Sequence, residues 1–143
     1  MGSVDPEHNI PGSRFVDANE KRTAWVRSRM DQPPYSMDQP RRQAVLESLI
    51  ERSLNRKWGL LAAQVRTNHV HLVIVAEDRP ERVMNDLKSF ASRRLNERGL
   101  DAADRKRWVR HGSTRWLWNR DAVSAAIQYV MEKQGVPMAV YPT

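Results

Sequence analysis

Cysteine is absent from the 143 residues. No disulfide framework can form and no thiolate can hold zinc, so any bound metal must take its donors from His, Asp, Glu, Asn or Gln. Such donors suit a hard or borderline divalent ion. No apolar run approaches the ~20 residues that span a bilayer, and the N-terminus lacks the apolar core of a signal peptide. A cytoplasmic location without membrane attachment is the expectation. There is no Gly-rich phosphate cradle and no further His/Asp cluster, which counts against a metal-dependent phosphoesterase acting on small molecules. Acidic residues are in deficit, with 17 Asp and Glu against 24 Lys and Arg, a net charge of +7 and a pI near 10.4. That balance favours a polyanionic partner such as nucleic acid without establishing one. The length fits one domain with a single modest core.

Residues 1 to about 37 contain the breakers Asp5-Pro6, Pro11-Gly12 and Pro33-Pro34 and show no sustained period. They predict an irregular N-terminal arm, with a short helical turn around Asn19 to Arg29 anchored by Trp25. From residue 38 to 143 the pattern is that of a folded domain. Pro40 falls in a first helical turn, Val45, Leu46, Leu49, Ile50 and Leu54 recur at helical spacing, and Gly59 follows as a stop. Leu60–Arg66 and His69–Ala76 read as two strands joined by Thr67-Asn68, an antiparallel hairpin. A second helix follows Asp78-Arg79-Pro80, with Val83, Leu87, Phe90, Ala91 and Leu95 inward and an end before Gly99. Arg110 to Trp118 holds a short strand, and a last helix begins near Asn119 or Asp121, runs from Ala122 to Lys133 and stops at Gly135. The class is α+β, an antiparallel sheet covered by helices in ferredoxin-like (RRM-like) fashion, except that the first β-strand of that arrangement is not evident.

The second strand of the hairpin carries the chemistry. Alternation puts His69 and His71 on one face and Val70, Leu72 and Ile74 on the other. Two neutral imidazoles fixed side by side offer half of a divalent-metal site; the plain alternative is a pair of polar residues on a solvated sheet face. Lys88, Arg93 and Arg94 give the second helix a basic face, either a solvated surface or a phosphate track. His111, Arg115 and Trp118 lie around the short strand. Trp116 and Trp118 share a face there, closing the core or offering a stacking surface beside Arg115. Tyr129 sits on the last helix near its apolar stripe, a core position or, given a metal that polarises a P–O bond, a phosphate nucleophile.

The Asn68-His69-Val70-His71-Leu72 strand, the Trp116-Leu117-Trp118 segment, and Gln128-Tyr129-Val130 followed by Gln134-Gly135 resemble the Y1 transposases of the IS200-like group. These are small HUH single-strand DNA nucleases that include the REP-associated tyrosine transposases. The resemblance runs from the first helix to the C-terminus. It implies that His69 and His71 bind Mg²⁺ or Mn²⁺, that Tyr129 forms a 5′-phosphotyrosine link while freeing a 3′-OH on single-stranded or hairpin DNA, and that a homodimer pairs one subunit's histidines with the other's tyrosine. The family's further metal-binding Gln has no direct counterpart, since its position holds Lys133. Glu132 fits by helical geometry and Gln134 by residue type, and both stay open as ligands. The family's usual central first strand is not recognisable either, which would leave one flank of the histidine strand open, to be filled by the N-terminal arm or by a second subunit, and a dimer is expected. Lys88, Arg93, Arg94 and Arg115 are expected to hold the DNA backbone, and His111 or a Trp such as Trp118 to receive a base. The competing reading is a non-catalytic nucleic-acid-binding module derived from such a nuclease.

Overall fold

Alternation along one strand sets the layering. Val70, Leu72, Ile74 and Ala76 join one apolar cluster, whereas Val73, between them, joins a second cluster on the other side of the sheet. The structure, a computed structural model, describes residues 22–29, 35–108, 113–133 and 135–142, with residues 22–29 and Ser113 described by their backbone. In chain order these form β1 (Arg22–Arg29), α1 (Gln39–Arg56), β2 (Gly59–Val65), β3 (His69–Ala76), α2 (Pro80–Glu97), β4 (Ser113–Leu117), α3 (Arg120–Glu132) and β5 (Ala139–Tyr141). The sheet order is β4-β1-β3-β2-β5 and every pairing is antiparallel. The path from β1 to β4 is therefore βαββαβ, ferredoxin-like, with α3 and β5 appended. No described helix is long and apolar enough to cross a membrane.

Two expectations are corrected here. The first strand exists: Arg22–Arg29, expected within an irregular arm and partly as a helical turn, lies centrally between β3 and β4. It pairs along its whole length with β3, from Arg22 opposite Ala76 to Arg29 opposite His69. Both flanks of β3 are thus hydrogen-bonded within one chain, and an open edge no longer argues for a dimer. The second correction concerns the end of α1. Gly59 does not stop it. Lys57 takes the left-handed conformation at φ 63°, and the N–H groups of Lys57 and Trp58 donate to the Leu54 and Ser53 carbonyls at 3.1 and 2.8 Å. Gly59 instead opens β2.

The helix starts follow local chemistry. Asp38 caps α1 by accepting from the Arg41 N–H at 3.2 Å, with Pro40 in the first turn where its missing donor costs nothing. Asn119 caps α3 by accepting from the Ala122 N–H at 2.8 Å. Helices α1 and α2 cover one face of the sheet, burying Val45, Leu49, Val83, Leu87 and Leu95. Helix α3 covers part of the other, where Val123 and Val130 meet Ala62, Val73 and Leu117. Strand β2 changes face on the way. A bulge between Leu60 and Ala62 shifts its register, so Leu60 opposes Ile74 while Ala62 opposes Val73 and Gln64 opposes His71.

Much of the positive charge is tied up internally. Arg52 and Arg56 of α1 reach Asp86 of α2 at 2.6 and 2.7 Å, Arg98 reaches Glu47 at 2.6 Å, and Arg94 pairs with Glu51. A more buried network closes the segment after α2. Asp101 accepts from the Tyr35 hydroxyl at 2.6 Å, from Arg107 Nε at 3.0 Å and from Arg41 Nε at 3.2 Å, and Arg107 also donates to Asn96 at 2.7 Å. Burial pushes the Asp101 carboxyl up, but the hydrogen bonds from Tyr35 and Arg107 and the charges of Arg41 and Arg107 outweigh it and hold the group below the usual carboxylate range. Burial, aided by Asp101, pushes the Tyr35 phenol up to about 12.

Only 1 % of the Arg107 side chain is exposed, so removing its carboxylate strands a buried cation. Asp101→Ala is expected to lower the unfolding free energy by about 3 kcal/mol, measured by denaturant titration. Because the folded carboxyl titrates low, its stabilisation is present above the unfolded value near ~3.9 and is lost as pH falls through the folded one. Asp101→Asn should therefore flatten the acid limb of the stability profile; an unchanged limb would mean that other carboxylates govern it.

Candidate active site

Strand alternation and the packing of α3 bring two of the expected groups together. His71 is buried, and its ring centroid lies 6.0 Å from that of Tyr129, with the planes inclined at 47°. His69 lies 6.0 Å from His71, inclined at 40°. The three rings form a row on the α3 side of β3, within one chain. Val130 fixes the tyrosine's turn by packing into the α3 cluster, while Tyr129 itself keeps 40 % exposure. A half-exposed phenol beside a buried imidazole can be reached by a strand of nucleic acid without opening the core.

One histidine has a side-chain partner just ahead of the strand. Asn68 Oδ1 lies 2.6 Å from His69 Nδ1. The contact holds the His69 ring against the residue that leads into β3. Two imidazoles in this setting fit a borderline divalent cation as half of a coordination sphere, and such an ion commonly completes the sphere with water and phosphate oxygens. Among the described residues no three His, Asp or Glu side chains gather into a metal-sized group. Glu132 is exposed and accepts from Gln128 of its own helix at 3.3 Å. Gln134 lies outside the described residues.

The expected DNA contacts divide between the two layers. Lys88 and Arg93 line a groove on the outer side of α2 with Ser92, Asn96 and Trp108, where the Trp108 indole donates to Ser92 Oγ at 2.7 Å. Since α2 packs on the Val70–Leu72 face, this groove is on the opposite side of the sheet from His71 and Tyr129. Arg94 pairs with Glu51 and lies 5.6 Å over the Phe90 ring, a role in joining α1 to α2. Arg115 is exposed on β4, opposite Trp25, which in turn opposes Val73. It thus shares the histidine face but sits two strands, about 10 Å, from β3. Trp118 is half-buried with its ring 6.1 Å from Trp116. His111 lies outside the described residues.

One buried polar residue at the site had no place among the sequence candidates. Gln64 is fully buried on β2, opposite His71, and its Nε2 donates to the Val130 carbonyl at 2.6 Å. Its Oε1 accepts from Arg66 Nη1 at 2.8 Å and from the Met138 N–H at 3.1 Å. The only sequence signal was its place in a strand hairpinned to the histidines.

The described residues thus place a histidine pair on the central strand of a ferredoxin-like sheet and a tyrosine beside it on an appended helix. The sequence profile of the family described as "Transposase IS200 like" matches residues 34–132, more than half of the chain, and the chain belongs to that family. Its fold is similar to that of a solved REP-associated tyrosine transposase bound to a REP hairpin, with a TM-score of 0.61 at 13% sequence identity over 78% of this chain. The likeness spans 66% of that chain's length. No match is found among curated proteins.

Exposure separates the tyrosines. Tetranitromethane is expected to nitrate Tyr129 well before the buried Tyr35, whose phenol also stays protonated, and peptide mass mapping reads the order. Nitration of Tyr35 first in the folded protein would contradict this packing.

Proposed function

We propose that this chain is a single-stranded DNA endonuclease and strand transferase of a transposon or REP-type element, with Tyr129 as nucleophile and His69 and His71 holding Mg²⁺ or Mn²⁺. The observation that carries the reading is the 6.0 Å approach of the Tyr129 and His71 rings within one chain. Membership in a family of metal-dependent transposases supports it, and the hairpin bound by the structurally similar transposase supports hairpin or single-stranded DNA as the partner.

In the proposed step the Tyr129 oxygen attacks the scissile phosphorus in line. An O–P bond to the tyrosine forms, the P–O3′ bond breaks, the phenol proton leaves to solvent, and the departing 3′-oxygen takes up a proton. The ion, when bound, would withdraw charge from the phosphate. His69 and His71 would hold it, with Glu132 at the end of α3, or Gln134, as a further donor. The 5′-phosphotyrosine retains the bond energy, so a second 3′-OH can reverse the step and rejoin the strand without ATP. Arg115 would hold phosphates on the histidine face and Lys88 and Arg93 those passing along α2, while His111 and Trp118 receive bases. The ties of Arg94 support a structural part for it. A homodimer belongs to the same proposal, but each copy then carries its own histidine and tyrosine together.

With labelled hairpin or single-stranded DNA and Mn²⁺, wild type should form a covalent adduct. Tyr129→Phe should abolish the adduct while keeping fold and DNA affinity, since it removes one oxygen and little else. Wild-type cleavage by Tyr129→Phe excludes it as nucleophile, and wild type that binds but never cleaves with any divalent ion favours the non-catalytic binding module. In calorimetry, His69→Ala and His71→Ala should each weaken Mn²⁺ binding at least about tenfold, because even partners one shell out cost that much. Equal affinity in wild type and both variants removes the histidines as ligands.

A further inference from the structure

The end of α3 is held by something more specific than apolar packing. The last carbonyls of a helix have no partner within it, and the Val130 carbonyl, one residue past Tyr129, takes its hydrogen bond from a side chain on the sheet. That side chain is Gln64, which stands opposite His71. The orientation of its amide is dictated: Arg66 Nη1 and the Met138 N–H are both donors and both meet Oε1, so Nε2 must face the Val130 carbonyl. Arg66 is itself anchored, with the same Nη1 donating to the Val136 carbonyl at 2.7 Å. One buried amide therefore joins the strand beside the histidines, the helical turn that carries Tyr129, and the chain leading into β5.

We propose that Gln64 is a positioning residue for Tyr129, setting the distance between the phenol and the histidine pair through the Val130 carbonyl. It touches neither substrate nor metal in this role. The proposal rests on the nuclease reading above for its catalytic consequence, though not for the geometry. A tether of this kind matters because displacing a nucleophile by about 1 Å can cost on the order of 10²-fold in rate. Apolar packing of Val130 against Ala62 and Val73 resists separation of helix and sheet, but it is non-directional and leaves rotation and sliding of the turn open. The hydrogen bond fixes both.

Two variants test this. Gln64→Glu keeps the shape and the acceptor for Arg66 and Met138 but, as a carboxylate, loses the donor to Val130. Gln64→Met keeps the volume and loses both. Circular dichroism reports whether each folds, and DNA affinity is measured with metal chelated. The tyrosine rings are followed in ¹³C-tyrosine spectra, with Tyr129 assigned through Tyr129→Phe. The expected result is a Tyr129 ring resonance that moves or broadens against the His71 ring current while that of Tyr35 stays put in both variants and that of Tyr141 stays put in Gln64→Glu, which keeps the Met138 contact. Single-turnover adduct formation should fall on the order of 10²-fold, with DNA affinity unchanged within about twofold. A folded Gln64→Glu with an unmoved Tyr129 resonance and a wild-type rate overturns the proposal, as does a loss of rate that follows a matching loss of DNA affinity. If wild type itself forms no adduct, the nuclease reading fails, and the Tyr129 resonance still decides whether Gln64 sets its position.

Discussion

The pleat of β3 is the constraint on which the molecule depends. Successive side chains must face opposite ways, so one strand builds two environments at once. Val70, Leu72, Ile74 and Ala76 complete the apolar layer beneath α1 and α2, and His69 and His71 are left on the other side, where α3 brings its tyrosine. Being central, β3 is held by β1 and β2 on its two edges, and the imidazoles inherit the rigidity of the sheet. Nothing in a loop has to order before the pair exists.

Charge is distributed by the same two-layer logic. The excess of basic residues suggests a uniform cationic surface, but the arginines between α1 and α2 largely neutralise local carboxylates. Exposed pairs of this sort contribute little each and act mainly as a set. On the function proposed above, the cations offered to a polyanion include Arg115 on the histidine face and Lys88 and Arg93 on the far side. A nucleic acid engaging both sets would have to pass around the sheet rather than lie across it.

The sequence made some of this legible and hid the rest for identifiable reasons. Helices α1, α2 and α3 announce themselves by apolar stripes and by Asp38, Pro80 and Asn119, and β3 by its Leu72-Val73-Ile74-Val75 run. Strand β1 does not, although it lies inside the sheet: Arg22-Thr23-Ala24-Trp25-Val26-Arg27-Ser28-Arg29 holds too few apolar residues to read as an inner strand, and two of its arginines, Arg27 and Arg29, fall in register with the histidines. Strand β5, three residues long, depends on β2 for its existence. The pairing of His71 with Tyr129 in one chain is a matter of tertiary packing and has no local signature. Gln64 is the extreme case, since a buried amide and an exposed one read alike until their partners are known.

The bulge in β2 limits how that strand can change in length. Ahead of it, Leu60 follows the apolar layer beneath α1; beyond it, Ala62 and Gln64 follow the layer beneath α3. The strand is in effect spelled in two reading frames joined at Leu61. Deleting Leu61 would leave Leu60 and Ala62 consecutive opposite Ile74 and Val73, restoring a regular pleat with Ala63 and Val65 still in the core and Ala62 and Gln64 still on the α3 side. Deleting Leu61 and Ala62 together would instead set Ala63 opposite Val73 and turn over every residue beyond it. Odd and even changes of length at this point are therefore not neighbouring steps of one series: the first leaves the protein with the same two sides, and the second exchanges inside for outside.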